Sequence, residues 1–225
     1  MLALLNLTRI LLPIAHATRH CCGDRENGDA MSTYSDDDGV YCHRYILLSF
    51  MHDAVRRTFL STDVDERKDK LTILTQVYSH LKAHAVPNVG ELRGWDLNDG
   101  MLLLGPSAVL APPWTKKHLL VAVQDVLETL MAMHAISTSG SGRGLMHRDV
   151  RWANMLKTRT ADRWFLIGFE NSVESPAPRA SALHLHDHDR SPEMVLQDEH
   201  DIKVDVWDVG HLIASSSVRL DLKGP

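Results

Sequence analysis

Apolar residues recur at helical spacing in two long stretches of the chain. In residues 65 to 83, apolar positions form one face, and acidic and basic residues fill the others. The apolar positions are Leu71, Leu74, Val77 and Leu81. This pattern predicts an amphipathic helix that stops before Pro87. A second helix is predicted from Thr115, a suitable N-cap residue, to about Ile136.

Shorter apolar runs predict strands. Val89 to Trp95 and Met101 to Leu104 read as a hairpin, because Asn98-Asp99-Gly100 favours a tight turn between them. Val40 to Phe50 is also apolar, but its periodicity does not decide between a strand and the start of a helix. Residues 18 to 40 are polar and rich in turn-forming residues, which is typical of a loop.

The first 17 residues are apolar and admit two interpretations. Ala15-His16-Ala17 resembles a signal-peptidase site, but Arg9 interrupts the apolar stretch and no positive charge precedes it. Leu4, Leu7 and Leu11 fall at helical spacing, so an amphipathic helix is favoured over a signal peptide. The chain has no run of about 18 apolar residues, and we therefore expect no membrane-spanning segment and no membrane partner.

Composition is ordinary for a globular protein. Of 225 residues, 44% are hydrophobic and 24% charged, so disorder of the whole chain is excluded. The net charge of -5 gives no electrostatic reason to expect nucleic acid as a partner. Three cysteines cannot all pair with one another, and adjacent Cys21 and Cys22 are poorly placed to bridge. This favours a reducing compartment, hence an intracellular protein of the cytoplasm or nucleus.

One stretch carries candidate chemistry. Residues 145 to 156 contain His147-Arg148-Asp149 followed by Asn154, which resembles the catalytic loop of protein kinases. The resemblance implies that Asp149 orients a substrate hydroxyl, that Asn154 binds a magnesium ion, and that the cation Arg151 faces the transferred phosphoryl group, as in the serine/threonine class. It also implies that His147 and Asp205 are structural.

Three later segments strengthen this resemblance. Phe165 to Glu170 resembles the segment that leads into the metal-binding motif of protein kinases, Ser191-Pro192-Glu193 resembles the end of the activation segment, and residues 205 to 210 resemble the start of the central helix. The four motifs follow the family's order. The chain therefore resembles the protein kinase superfamily from roughly residue 65 to 218.

The resemblance implies an α+β, two-lobed protein-kinase-like fold with a degenerate small lobe and a large lobe truncated after the central helix. We expect a divergent segment over residues 1–60, partly helical and partly loop, a small-lobe remnant over 61–105, and a partial large lobe over 106–225. Three apolar residues would bind a nucleotide cofactor: Leu104, Leu156 and Phe169.

The sequence departs from this family where the chemistry is most demanding. Gly168 stands where a metal-binding aspartate is expected, and glycine offers no side-chain oxygen. No lysine can be assigned to the phosphates, because Lys68 and Lys70 belong to the solvated face of the first helix. About fifteen residues follow Gly210, so we expect little cover for the apolar face of a helix over 203 to 218 and no arginine to pair with Glu193.

These departures leave three alternatives open. The first is a catalytically impaired kinase-like domain that acts by binding a protein substrate or partner, with weak binding of ATP and Mg²⁺. The second is an active serine/threonine kinase with an atypical metal site, and the third is a non-functional fragment. The uncovered helix predicts marginal stability, self-association through that face, or a truncated gene product. The histidine-rich stretch 184–189 and the glycine-rich stretch 140–144 are read as loops without a site.

Overall fold

A computed structural model describes residues 32–33, 40–43, 46–60, 63–136, 144–179 and 191–219. Within these residues the chain forms a mixed structure of small antiparallel sheets and helices. The helices are α1 (Val64–Ala83), α2 (Lys116–His134), α3 (Pro192–Leu196) and α4 (Lys203–Ala214). The expectation of an α+β fold is confirmed at this level.

The largest sheet has six antiparallel strands in the order β1-β2-β3-β4-β6-β5. Its strands are β1 (Ser32–Thr33), β2 (Val40–His43), β3 (Ile46–Phe50), β4 (Val55–Phe59), β5 (Glu91–Asp96) and β6 (Met101–Gly105). The hairpin predicted from the sequence is β5 and β6, and Asp96 stabilises its turn by accepting the backbone N–H of Asn98 at 2.8 Å. Alternating burial along β4 directs Val55, Arg57 and Phe59 into the protein.

This sheet corrects the prediction for residues 1–60. Residues 1–60 as a whole were expected to be partly helix and partly loop, with Val40 to Phe50 left open between a strand and a helix start. Residues 46–60 instead contribute β3 and the central strand β4. The two strands pair with each other over their full length, and β4 also pairs with β6. The apolar run ending at Phe50 was too short for its periodicity to distinguish a strand from a helix. Pairing with a neighbouring strand makes it a strand.

Helix α1 covers one face of the sheet, as its apolar spacing predicted. Leu71, Leu74 and Leu81 are buried, and the predicted solvated position Lys70 pairs with Glu66 one turn earlier at 2.6 Å. Asp63 caps the helix, since its carboxylate accepts the backbone N–H groups of Asp65 and Glu66. The predicted helix is confirmed to within one residue at its N-terminus.

The rest of the described chain surrounds helix α2. Small antiparallel pairings join the strands β7 (Ala108–Val109), β8 (Leu145–Met146), β9 (Met155–Thr158), β10 (Trp164–Leu166), β11 (Val173–Glu174), β12 (Ala177–Pro178) and β13 (Glu199–His200). Helix α2 packs against β10, β8 and α4. The predicted N-cap is confirmed, because the hydroxyl of Thr115 accepts the backbone N–H of His118 at 3.1 Å.

Helix α4 corrects the expected self-association surface. The helix was predicted over residues 203 to 218 with an uncovered apolar face, but it ends at Ala214. Val204, Val209 and Leu212 are fully buried, Val209 and Leu212 in the core shared with the large sheet and α2. The apolar face is therefore used inside the molecule, and it offers no surface for a second copy.

Several sequence predictions lie outside the described residues. They concern the apolar stretch 1–17, most of the loop 18–40, the glycine-rich stretch 140–143 and the histidine-rich stretch 184–189. Within the part that is described, the helices are all too short or too polar to cross a membrane.

The cap of α2 gives a first prediction. Thr115→Ala removes the side-chain acceptor at the N-terminus of the helix, and we expect the free energy of unfolding to fall by about 1 kcal/mol. Urea titration followed by circular dichroism measures this. The control is Ser79→Ala, which deletes an exposed hydroxyl bonded to the preceding turn of α1 and should change stability by less than about 0.5 kcal/mol. Equal effects of the two substitutions would contradict the capping role.

Candidate functional site

The candidate site begins with a loop between β8 and β9 that two buried carboxylates of α4 hold in place. Asp205 accepts the backbone N–H groups of His147 at 2.9 Å and of Arg148 at 2.7 Å. Asp208 accepts the backbone N–H of Val150 at 3.1 Å. Arg148 has a left-handed backbone (φ 64°), which side chains rarely adopt, so these bonds offset its strain. The structural role expected for Asp205 is confirmed.

His147 packs as a structural residue, which is also as expected. Its side chain is fully buried, and its Nε2 lies 3.1 Å from the carbonyl oxygen of Ile167. Burial is the main cause that lowers its pKa. The imidazole meets the ring of Phe169 edge-on, with centroids 4.9 Å apart. His147 therefore joins the loop to the segment that follows β10.

The structure brings together the three residues that the sequence singled out. Asn154 donates from Nδ2 to the backbone oxygen and to Oδ2 of Asp149, both at 2.9 Å. Arg151 Nε lies 3.0 Å from the other carboxylate oxygen, Oδ1. Each carboxylate oxygen of Asp149 therefore has a partner within the loop. Burial raises the pKa of Asp149, and the nearby Arg151 opposes this shift. The catalytic role of the three residues stays a prediction.

The three residues expected to contact a cofactor pack in the main core. Leu104 lies in β6, Leu156 in β9 and Phe169 just after β10, and none exposes surface to solvent. Phe169 contacts Tyr78 of α1 edge-on, with ring centroids 5.2 Å apart. Their contribution in this structure is to join the sheet and α1 to the loop, and cofactor binding by them stays a prediction.

Sequence reasoning missed Arg57, a buried cation that pairs with the segment after Gly168. Arg57 on β4 forms an ion pair with Glu170, and the two side chains are only 4% and 13% exposed. Glu170 faces the sheet. The alternation of Val55, Arg57 and Phe59 was the available signal, because it places the arginine on the inward face of a strand. The pair bridges the sheet and the segment after Gly168.

Gly168 is required by the backbone and by its neighbour. Its φ of 89° lies in the left-handed region, and a Cβ placed there would come within 2.5 Å of the Asn154 side chain. Glycine therefore allows Asn154 to reach Asp149. Gly168 was noted in the sequence because it lacks the carboxylate expected at that position. The structure shows that a glycine there also has a packing reason.

The residues present do not fit a magnesium ion well. Within the described ranges, no three histidine, cysteine or acidic side chains come together in a group that could hold a metal. Asp149 is already paired with Arg151, Glu170 with Arg57, and the Asn154 amide nitrogen donates to Asp149. Magnesium prefers several oxygen ligands in octahedral geometry. Asn154 alone cannot supply them.

A pocket of about 200 Å³ opens beside the loop. It is lined by Asp149, Val150, Arg151, Trp152, Asp208, His211 and Ser215. Trp152 is fixed by a hydrogen bond from its indole N–H to the carbonyl of Leu212 at 3.0 Å, and the His211 ring stacks on Trp207. The pocket thus combines an ion pair with ordered aromatic rings, a composition suited to binding one or two side chains.

Comparison with known proteins places a similar sequence among effectors. No protein-family model matches the chain. Over 145 residues, or 64% of the chain, it is 35% identical to Crinkler effector protein 8 of Phytophthora infestans. The chain spans 23% of the length of that relative.

This finding corrects the protein-kinase interpretation. The similar protein carries the name of an effector and not of a kinase, so neither the superfamily resemblance nor the functions inferred from it are supported. The four motifs agreed with the kinase order, but short motifs are a weak basis for function when the residues between them go unmatched.

The glycine gives a prediction for the site. Gly168→Ala places a side chain in the left-handed region and against Asn154, so we expect a loss of about 2 kcal/mol of stability. Urea denaturation measures the loss. Gly94→Ala is the matched control, because a Cβ at that strand position meets no atom within 4 Å. A Gly168→Ala protein as stable as the Gly94→Ala protein would show that the loop adapts freely.

Asp208 gives a prediction about pH. Burial raises its pKa well above the ordinary value, so the folded protein holds this proton more tightly than the unfolded chain. The resulting contribution is fully present below the unfolded pKa of about 4 and is lost as pH rises towards the folded pKa. Asp208→Asn removes this dependence while keeping an oxygen for Val150. We therefore expect the variant to gain stability relative to the wild type as pH rises from about 4 to 7.

Asp201→Asn provides a control of opposite sign. Hydrogen bonds from Lys203 lower the pKa of Asp201, so its contribution is present above the unfolded pKa and is lost as pH falls through the folded pKa. Chemical denaturation of both variants from about pH 3 to about pH 7 covers both titrations and checks the pair. An Asp208→Asn curve parallel to the wild-type curve would contradict the buried, proton-retaining carboxylate.

Proposed function

We propose that this chain is an effector-type protein that acts by binding a partner protein through the pocket beside Asp149. Two findings support the proposal. The sequence is similar to that of an effector protein, and the pocket presents Arg151 and Trp152, residue types that dominate the energetics of protein interfaces. The partner is a protein of the cell in which the effector acts.

The observation that carries this proposal is the closed ion pair of Asp149 and Arg151. The two side chains are 19% and 25% exposed, so they are partly buried yet remain accessible at the pocket. An arginine held by a carboxylate and placed beside an ordered indole is pre-organised, which lowers the entropy cost of binding. A pocket of about 200 Å³ can hold a side chain or two of a partner.

We keep weak binding of ATP and Mg²⁺ as a proposal for the same loop. The oxygen ligands at this loop are already paired with arginines or with an amide, so an ion must compete with existing bonds. Removing those bonds costs free energy that a single amide oxygen does not return. Binding in the millimolar range or weaker follows from this competition.

Two broader expectations also remain proposals. One is that the six-stranded sheet with α1 and the part from residue 106 onwards act as two lobes joined at Gly105-Pro106. The other is that the protein acts inside cells, in the cytoplasm or nucleus, as its cysteine content suggests. The Arg57–Glu170 pair and the Tyr78–Phe169 contact are among the described links between the two parts.

Quantitative affinity capture tests the proposed binding site. The purified chain is immobilised and incubated with a cell extract, and the retained proteins are measured by mass spectrometry. We expect Arg151→Glu, which reverses the charge at the pocket, to reduce retention of a defined set of proteins by about tenfold, as loss of an interface hot spot does. Lys70→Glu, an equal charge change on exposed α1, should leave that set unchanged.

The proposal would be overturned if the Arg151→Glu and Lys70→Glu variants retained the same proteins in the same amounts. Circular dichroism melting of both variants separates a loss of binding from a loss of folding. Calorimetric titration of the wild type with ATP and Mg²⁺ tests the ligand proposal separately. Tight, saturable heat of binding would contradict weak binding.

A further inference from the structure

A second ordered aromatic residue, Trp114, lies just before α2 and outside the lining of the pocket. Trp114 is 63% exposed, yet its ring meets His118 edge-on with centroids 5.0 Å apart. Lys157 Nζ lies 5.4 Å from the Trp114 ring centroid and 5.5 Å from that of buried Trp164. We call this surface the Trp114 patch: Trp114, Lys116, Lys117, His118, Lys157 and Asp162.

The Trp114 patch is basic on an acidic protein. It contains three lysines and one carboxylate, Asp162, which Lys157 Nζ contacts at 2.8 Å. The hydrogen bond from Lys157 is the main cause that lowers the pKa of Asp162, and the charge of Lys117 adds to it. The whole chain carries a net charge of -5, so this patch stands out against its surroundings.

Two of these lysines lie where the helix dipole disfavours positive charge. Lys116 and Lys117 are the first two residues of α2, and no acidic residue lies in its first turn. The positive end of the helix dipole lies there, and basic residues at this end destabilise a helix by a few tenths of a kcal/mol or more. By contrast, α1 begins with Asp65 and Glu66, as the dipole favours. The lysines at the start of α2 interact unfavourably with the helix dipole, whereas the acidic residues at the start of α1 interact favourably. This difference indicates that Lys116 and Lys117 have a role other than helix stability.

The exposed indole is also held in place before any partner arrives. His118, only 13% exposed, supports one edge of Trp114 and packs on Trp164, whose indole N–H is bonded to the Ala111 carbonyl at 3.2 Å. A fixed aromatic ring loses little conformational entropy on binding. The ring of Trp114 therefore offers a preformed apolar contact between cationic groups.

We infer that the Trp114 patch docks an acidic segment of a partner protein that carries an apolar or aromatic side chain between its carboxylates. The apolar side chain packs on the Trp114 indole, and a carboxylate pairs with Lys117 near the positive end of α2. The inference rests on the proposed function only in taking the partner to be a protein. It adds a second surface with a defined chemistry.

A short acidic peptide fits this surface better than a nucleic acid or an anionic membrane. Long polyanions and charged bilayers extend beyond the patch and meet the negative charge of the rest of the chain. A segment of a few residues meets the three lysines alone. Both alternative ligands are outcomes of the experiment below.

Fluorescence anisotropy with defined probes tests the inference on the full chain. The probe is a fluorescein-labelled peptide of glutamates around one central phenylalanine. We expect saturable binding that weakens about tenfold with Trp114→Ala, with Lys117→Glu, and with a probe whose phenylalanine is replaced by alanine. Trp95→Ala and Lys70→Glu remove an equally exposed indole and an equal charge elsewhere, and should change affinity less than about twofold.

Lys117→Glu also separates binding from folding. An acidic residue at the start of α2 suits the helix dipole, so the variant should melt at the same temperature or higher while it loses the probe. Three results would overturn the inference: no saturable binding of the acidic probe, equal binding by Trp114→Ala, or tighter Trp114-dependent binding of oligothymidylate or phosphatidylserine vesicles. None of these results affects Arg151-dependent capture, so the two proposals fail separately.

Discussion

The candidate site depends on two carboxylates of α4 that are buried beneath the loop between β8 and β9. Asp205 and Asp208 accept three backbone N–H groups of this loop, those of His147, Arg148 and Val150. Unpaired buried N–H groups and carboxylates are both costly, and each satisfies the other here. Because the loop is fixed in this way, it can hold Arg148 in a left-handed conformation and present Asp149 beside the pocket.

Because the loop is fixed, the charged side chains of the site pair with neighbouring protein groups. Asp149 is shared between Arg151 and Asn154, and Glu170 is shared with Arg57 across the gap to the sheet. Each pairing neutralises a charge that burial would otherwise make costly. The same pairings use the oxygen atoms that a metal ion would need, so stability and metal binding compete for one set of groups. This competition favours a site that recognises partner side chains.

Charge is distributed unevenly over the surface. The chain is acidic overall, but lysines gather at the start of α2, around Trp114, where the helix dipole adds to their field. Electrostatic complementarity of this kind mainly sets partner choice and association rate. The pocket at Arg151 and the Trp114 patch both pair a cation with an ordered indole. Two such surfaces suit a protein whose sequence is similar to that of an effector.

The sequence by itself determined the local elements: α1, the β5–β6 hairpin, and α2 with its Thr115 cap, because periodicity and capping act over a few residues. It also brought Asp149, Arg151 and Asn154 into one loop. Only the tertiary structure decided that residues 46–60 form central strands, that Arg57 faces Glu170, and that the apolar face of α4 is buried. Each of these depends on a partner distant in sequence, and neither periodicity nor a short motif carries information about that partner.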